Sequence, residues 1–175
     1  MIGIFDSGSG GLTVLKAIRD VMPSADILYF GDIRNAPYGE KSREELSRLT
    51  VNSIRVLQAR GATSIVSACN SVSASLAISL FDSLGLAQQN LIEMVGPTVS
   101  YFKDFKKPIL LAATPATVSS ELYQSAFRML GITIDAVAIP KLAGAIEFGV
   151  SVADQERLIA AAFAPHDLKT YGALI

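Results

Sequence analysis

The chain contains one cysteine and one histidine, and most of the remaining chemistry it can offer sits in short polar turns. Cys69 stands in Cys69-Asn70-Ser71, where the apolar run Ser64 to Ala68 gives way to a helical pattern. Backbone N–H groups and the helix dipole favour an anion at such a place, so the thiol pKa is expected to fall below its reference of about 8.5. A thiolate there can act as nucleophile or general base. The plainer reading is a small buried hydrophobe, the usual role of a free cysteine. Asn70 and Ser71 count against it, since both are wasted in a core but useful as caps and ligand donors. Asp6-Ser7-Gly8-Ser9-Gly10-Gly11 follows another apolar run. Asp6 can simply cap the next helix, yet the packed glycines suggest backbone brought close to a ligand, a carboxylate or a phosphate alike.

Further polar turns hold Asp32, Pro37-Tyr38-Gly39 and Thr114-Pro115-Ala116-Thr117. Tyr38 reads equally well as a core cover and as a site residue. His166 lies in a helix-breaking stretch and reads as surface. A single histidine and a single cysteine give no basis for a metal site. A dinucleotide fingerprint fits poorly, because Thr13 stands where its third small residue belongs, although Asp32 keeps that idea open. A P-loop fails, since no lysine follows the glycines. Nothing in the spacing supports a Cys69–His166 nucleophile pair.

The turns need elements to carry them. Ile2 to Phe5 and Ile27 to Phe30 read as buried strands, with a helix between them whose inward face holds Val14, Leu15, Ile18, Val21 and Met22. Ser42-Arg43-Glu44-Glu45 fits a capping box opening a second helix, which should stop at Arg60-Gly61. Ser64 to Ala68 is a third strand, followed by a helix with Val72, Leu76 and Leu80 that closes near Gly85. Leu91 to Val95 is a fourth strand, broken by Gly96-Pro97, and Ile109 to Ala113 a fifth. Val118, Leu122, Ala126 and Met129 mark one helix facing inward. Ile132 to Ile139 is a sixth strand, and Leu142 to Phe163 is helical with a break near Gly149-Val150-Ser151. Tyr171 to Ile175 resembles the start of another strand, which suggests a C-terminally truncated polypeptide.

This alternation predicts an α/β fold with mainly parallel sheets flanked by helices. Ligands in such sheets bind beyond the carboxyl ends of the strands, where Asp6, Asp32, Cys69 and Thr114 gather. A boundary near Gly96-Pro97 divides the chain into a first domain, 1–96, and a second, 97–175.

Half of the 175 residues are hydrophobic and 18% are charged, against roughly 25% charged in an average globular protein. That suits parallel strands buried on both faces. A net charge of −1 gives no electrostatic case for nucleic acid or an anionic membrane. No apolar run reaches the roughly 18 residues of a membrane span. The N-terminus has no basic region ahead of its apolar residues, so a secretory signal is not expected. With a lone cysteine, that points to a reducing cytoplasm.

Phe5 to Val14 resembles the opening signature of the glutamate racemases, within the aspartate/glutamate racemase superfamily. Tyr29-Phe30-Gly31-Asp32, Ala36-Pro37-Tyr38-Gly39, Ala68-Cys69-Asn70 and Thr114-x-x-Thr117 resemble further motifs of that family, in its order and spacing. The resemblance implies two pseudo-symmetric α/β domains around a cleft. In that cleft two cysteines face opposite sides of the substrate α-carbon and exchange its proton without cofactor or metal. Carried over by position, Asp6, Ser7, Pro37, Tyr38, Gly39, Asn70, Ser71, Thr114 and Thr117 hold glutamate. Cys69 is then one acid/base and Asp6 its assistant. The implied product, D-glutamate, serves peptidoglycan synthesis and so cell shape, and a homodimer or other self-association is expected. Some features depart from the family. Its second cysteine, in a Cys-Thr-His turn, is absent, so these 175 residues alone are expected to be inactive. Val95-Gly96-Pro97 lacks the usual Glu before Pro, Ser71 replaces Thr, and Ile139 stands where a non-catalytic Cys is frequent. An aspartate or related racemase, or a silent ligand-binding fragment, are the competing readings.

Overall fold

The computed structural model describes residues 1–75 and 90–175. The expected helix through Val72, Leu76 and Leu80 to Gly85 is therefore described only over its start, α3 (Asn70–Ser75), and otherwise lies outside the described residues. Four parallel strands, β1 (Ile2–Asp6), β2 (Ile27–Gly31), β3 (Ser64–Ser67) and β4 (Leu91–Ile92), form one sheet in the order β2-β1-β3-β4. Three more, β5 (Ile109–Ala113), β6 (Ile134–Ala138) and β7 (Ala173–Leu174), form a second parallel sheet in the order β6-β5-β7.

Parallel neighbours require crossovers, and helices supply them. In the first sheet α1 (Leu12–Val21) joins β1 to β2, and α2 (Arg43–Ala59) carries the chain back over β1 to β3. The two crossovers run in opposite directions, so they cover opposite faces. Side chains in β1 and β3 alternate accordingly. Phe5 and Ile65 pack with Leu46, Leu49, Ile54 and Leu57 of α2, whereas Ile4 and Val66 pack with Val14, Leu15 and Ile18 of α1. The inward face of α1 stops one turn short of expectation. Val21 is 78% exposed, because the helix ends at that residue and the chain turns away. Half of the expected capping box forms, the Ser42 hydroxyl accepting from Glu45 N–H at 3.2 Å while the Glu45 carboxylate pairs with Lys41 at 2.8 Å, and α2 closes at Arg60 with Gly61 at φ +93°.

Three local expectations are corrected. Gly96-Pro97 is not a break but part of the first turn of α4 (Val95–Tyr101), where proline's missing N–H costs nothing. The segment after Thr114 is two helices, α5 (Pro115–Ser119) and α6 (Leu122–Met129), separated by Glu121 at φ +56°. That left-handed residue resets the helical phase. Tyr123, Gln124 and Phe127 turn inward instead, and Met129 is 87% exposed. After β6 come α7 (Leu142–Glu147) and α8 (Val152–Phe163), with the interruption at Gly149 to Ser151 as expected. Among the described residues, no helix is long and apolar enough to cross a membrane.

Both sheets reverse direction in their middle. β1 and β3 send their chains to opposite sides of the first sheet, and β5 lies between β6 and β7 in the second. Crevices open at such switch points, and here Asp6, Cys69 and Thr114 stand at or just after the ends of those strands.

Candidate active site

Asp6 closes β1 and is 6% exposed. Its Oδ2 accepts from the backbone N–H of Gly8 at 3.0 Å and of Gly11 at 3.1 Å, so the carboxylate organises the glycine turn from within. That turn lies flat on β2. Tyr29 donates its hydroxyl to Gly8 O at 2.6 Å, and a Cβ on Gly31 would sit 2.4 Å from the same carbonyl oxygen. Only glycine leaves that room.

Two residues past β3, the Cys69 Sγ points at Ser7 Oγ, 3.5 Å away. The thiol is 5% exposed and belongs to the α2-side core. Burial pushes its pKa above the ordinary thiol value, and the charge of Asp6 adds to that. Hydrogen bonds from Ser7 and from the backbone N–H groups of Val72 and Ser7 act in the opposite sense and do not prevail. The expectation of an acidified thiol is thereby overturned, since desolvation outweighs the donors of the helix start.

The second sheet meets this rim from across a cleft. Ser71 Oγ lies 2.9 Å from Thr114 Oγ1, which lies 3.0 Å from Thr117 Oγ1, a three-hydroxyl chain spanning both sheets. Ala116 N–H donates to Gly39 O at 2.9 Å. Tyr123 on α6 donates its hydroxyl to Asn70 Oδ1 at 2.7 Å. Asp6, Ser7, Pro37, Tyr38, Gly39, Cys69, Asn70, Ser71 and Thr114 all line one cleft of about 400 Å³. Thr117 instead lines an adjoining cavity of about 390 Å³ that shares Asn70 and Thr114 with it.

Of the strand-end residues expected around the cleft, Asp32 is the one turned away from it. The Tyr38 ring is core, 1% exposed and packed near Phe5 with a 6.1 Å centroid separation. Its hydroxyl is donated to Asp32 Oδ2 at 2.6 Å, while Asn35 binds both Asp32 oxygens at 2.9 Å. Burial and then Asp32 push the Tyr38 pKa far above its usual value. Asp32 thus anchors the Pro37-Tyr38-Gly39 loop and is absent from the cleft lining. His166 is also absent from it, with its ring 6.4 Å from that of Tyr171.

Glu147 is a cleft residue that the sequence reading missed. Its Oε2 accepts from Ser9 N–H at 3.0 Å and Ser9 Oγ at 2.9 Å. It is the sole charged residue of α7, Leu142–Glu147, and that isolation was the available signal. The side-chain charges on the described lining are those of Asp6 and Glu147, with no lysine, arginine or histidine among them. Both carboxylates, with Cys69, help burial raise the Tyr29 pKa. Among the described residues, no group of three His, Cys, Asp or Glu could hold a metal ion.

No family model matches the chain. It is 32% identical over 177 residues to the glutamate racemase of Lachnospira eligens, covering 99% of this chain and 67% of that protein. The chain belongs to the glutamate racemase family. The solved glutamate racemase of Francisella tularensis, in complex with D-glutamate, superposes with a TM-score of 0.86 at 30% identity, over 99% of this chain and 66% of that one. That of Aquifex pyrophilus gives 0.79 at 34% identity, over 94% and 65%. The chain therefore spans about two thirds of the length of these racemases. A carboxylate upstream of Val95-Gly96-Pro97 meets the start of α4. Glu93 accepts from Val95 N–H at 2.5 Å and Gly96 N–H at 2.7 Å, capping α4.

A buried thiol beside a carboxylate holds its proton tightly, and its thiolate, once formed, is a strong base. That suits reversible proton transfer to carbon better than a standing nucleophile.

Proposed function

We propose that the protein is a glutamate racemase that interconverts L- and D-glutamate by proton transfer at the α-carbon, with no cofactor or metal. The supporting observation is the Cys69 thiol held against Ser7 and beside Asp6 at the switch point of a racemase fold. Cys69 as thiolate takes the α-proton, leaving the electron pair on the α-carbon. A second thiol then delivers a proton to the opposite face. That second group, a Cys-Thr-His turn in the family, is not among the 175 residues, which contain one cysteine. Asp6 assists Cys69 by setting the cost of its deprotonation.

Asn70, Ser71, Thr114, Thr117 and the Pro37-Tyr38-Gly39 backbone are proposed to hold the two carboxylates through neutral donors, since no cationic side chain lines the cleft among the described residues. Such preorganised dipoles are what a carbanion-like state requires. A cytoplasmic, homodimeric enzyme supplying D-glutamate to peptidoglycan is the corresponding biological role, and residues 1–96 and 97–175 its two domains.

The test is isotopic. In D₂O, the intact protein should convert L-glutamate to D-glutamate carrying deuterium at the α-carbon, and Cys69→Ala should abolish this while retaining glutamate binding. The 175 residues alone should exchange the α-proton with retention and form no D-glutamate. Racemisation at the parental rate by Cys69→Ala would refute the assignment.

A further inference from the structure

Asn70 is the polar residue that follows Cys69, and its amide has two unlike ends. Oδ1 accepts hydrogen bonds and Nδ2 donates two. Facing a carboxylate, the nitrogen end attracts and the oxygen end repels. The residue is exposed and lines both the cleft and the adjoining cavity, so its neighbours in sequence do not decide which end faces the ligand. The decision is made from the other sheet. Tyr123, on α6, is 3% exposed and packs with Val95, Ile109 and Phe127 in the second core. Its hydroxyl crosses to the first sheet's rim and donates to Asn70 Oδ1 at 2.7 Å. No described residue takes the Nδ2 hydrogens.

We propose that Tyr123 is a positioning residue: by fixing Asn70 Oδ1 it directs both Asn70 N–H groups towards a ligand carboxylate beside Cys69. The inference rests on the proposed binding of glutamate. Turning the amide over would set Nδ2 against the hydroxyl, which could then accept from it but would lose the acceptor for its own hydrogen, and such a loss is costly. The ring of Tyr123 is held by the second core, so the hydroxyl has little freedom to follow a moving amide. The tie therefore works only while the two sheets keep their relative position, and it couples ligand recognition to that arrangement.

Tyr123→Phe removes one oxygen and leaves the packing ring in place. In the intact protein it should raise the KM for glutamate about tenfold, the scale of one lost hydrogen-bond constraint, with kcat changed much less and the melting temperature near parental. Asn70→Ala should raise KM at least as much, and the double variant should be no worse than Asn70→Ala alone, because the hydroxyl acts through the amide. Asn70→Asp keeps an acceptor for Tyr123 but has no donor, so it should behave like Asn70→Ala. Without any ligand, the Asn70 side-chain amide pair in ¹⁵N NMR should be dispersed in the parent and collapse towards exposed-amide shifts in Tyr123→Phe.

Additive effects of Tyr123→Phe and Asn70→Ala on KM would overturn the proposal and leave the racemase reading intact. A parent that neither binds nor racemises glutamate would overturn the racemase reading and the ligand assignment of Asn70 with it. An Asn70 amide pair unchanged by Tyr123→Phe would overturn the positioning role whatever the activity.

Discussion

Two influences compete on the Cys69 thiol, and the sequence displays only one of them. The polar turn before a helix is visible in Cys69-Asn70-Ser71, and from it a lowered pKa follows. The opposing influence is three-dimensional. Phe5, Leu46 and Val72 share the core that encloses Cys69, and Asp6 arrives at the end of β1, beside Ser7, which is 62 residues before Cys69. Desolvation and that charge win, so the thiol is the stable form. Tyr38 shows the same blind spot, since its type fits core and site equally and only the Asp32 contact decides where its hydroxyl goes. A prediction belongs to this scale. Alkylation of Cys69 by iodoacetamide in the folded protein should be slower than that of free cysteine at pH 8, with its pH–rate midpoint displaced upwards. Asp6→Asn removes a charge that raises the pKa, so it should bring that midpoint down. The linkage sign follows from the same direction. With the folded pKa raised, the thiol's contribution to stability is complete below the ordinary thiol range and is lost as pH climbs through the folded value. An alkylation midpoint at or below that of free cysteine would contradict the burial argument.

At the scale of elements, the strands and their alternation with helices were readable because parallel strands covered on both faces appear as short apolar runs with a turn after each. β5 at Ile109–Ala113 matches its reading residue for residue, and the Ser42 cap was legible because its chemistry is local. What escaped was set by contacts distant in sequence or by one backbone angle. Glu121 carries no mark of its left-handed conformation, yet it moves the buried stripe of α6 from Leu122 and Met129 to Tyr123 and Phe127. The loop of Pro37-Tyr38-Gly39 is another case, for its glycine answers to a residue on a different sheet. A Cβ on Gly39 would lie 2.5 Å from Thr114 Cβ and 3.1 Å from its Oγ1. Thr114 is β-branched and already tied to Ser71 and Thr117, so it has nowhere to retreat. Gly39→Ala should therefore displace Thr114, break the hydroxyl chain and lower kcat/KM for glutamate by roughly a hundredfold, about 1–3 kcal/mol for one or two disturbed polar contacts. The melting temperature should fall only modestly, because Gly39 itself lines the cleft and belongs to neither core, and the Tyr38 ring beside it stays buried. Parental kinetics in Gly39→Ala would show that the loop and Thr114 are not in contact in solution.

At the scale of the whole molecule, the two sheets build different cores, and mostly polar contacts, with Ala116 packed against the first core, join them across the cleft. Tyr38, Leu46 and Ile65 belong to one core, and Ile109, Tyr123 and Phe127 to another. Between the layers run Ser71 to Thr114, Tyr123 to Asn70, Glu40 Oε1 to Lys141 N–H at 2.8 Å, and Ser9 to Glu147. Contacts of this kind between units permit relative motion far more readily than a shared hydrophobic core does. The polar turns at the strand ends were legible in the sequence, whereas a cleft between two domains was what the family resemblance implied. The sequence did not foretell Glu147, which reaches the site from a helix and not from a strand end. Glu147 takes both hydrogen bonds that Ser9 can donate, and it does so on the same glycine turn that Asp6 organises from inside. Removing it should free that turn without unfolding either sheet. Glu147→Ala is thus expected to speed hydrogen exchange of the Ser9 amide by about tenfold, the scale of one charge-assisted hydrogen bond discounted for its partial exposure. The amides of β1 and β5, which answer to their own sheets, should keep their protection. Exchange accelerated equally in β5 would mean that Glu147 supports the second core as a whole. Unchanged exchange at Ser9 would mean that the turn is held by Asp6 and Tyr29 alone.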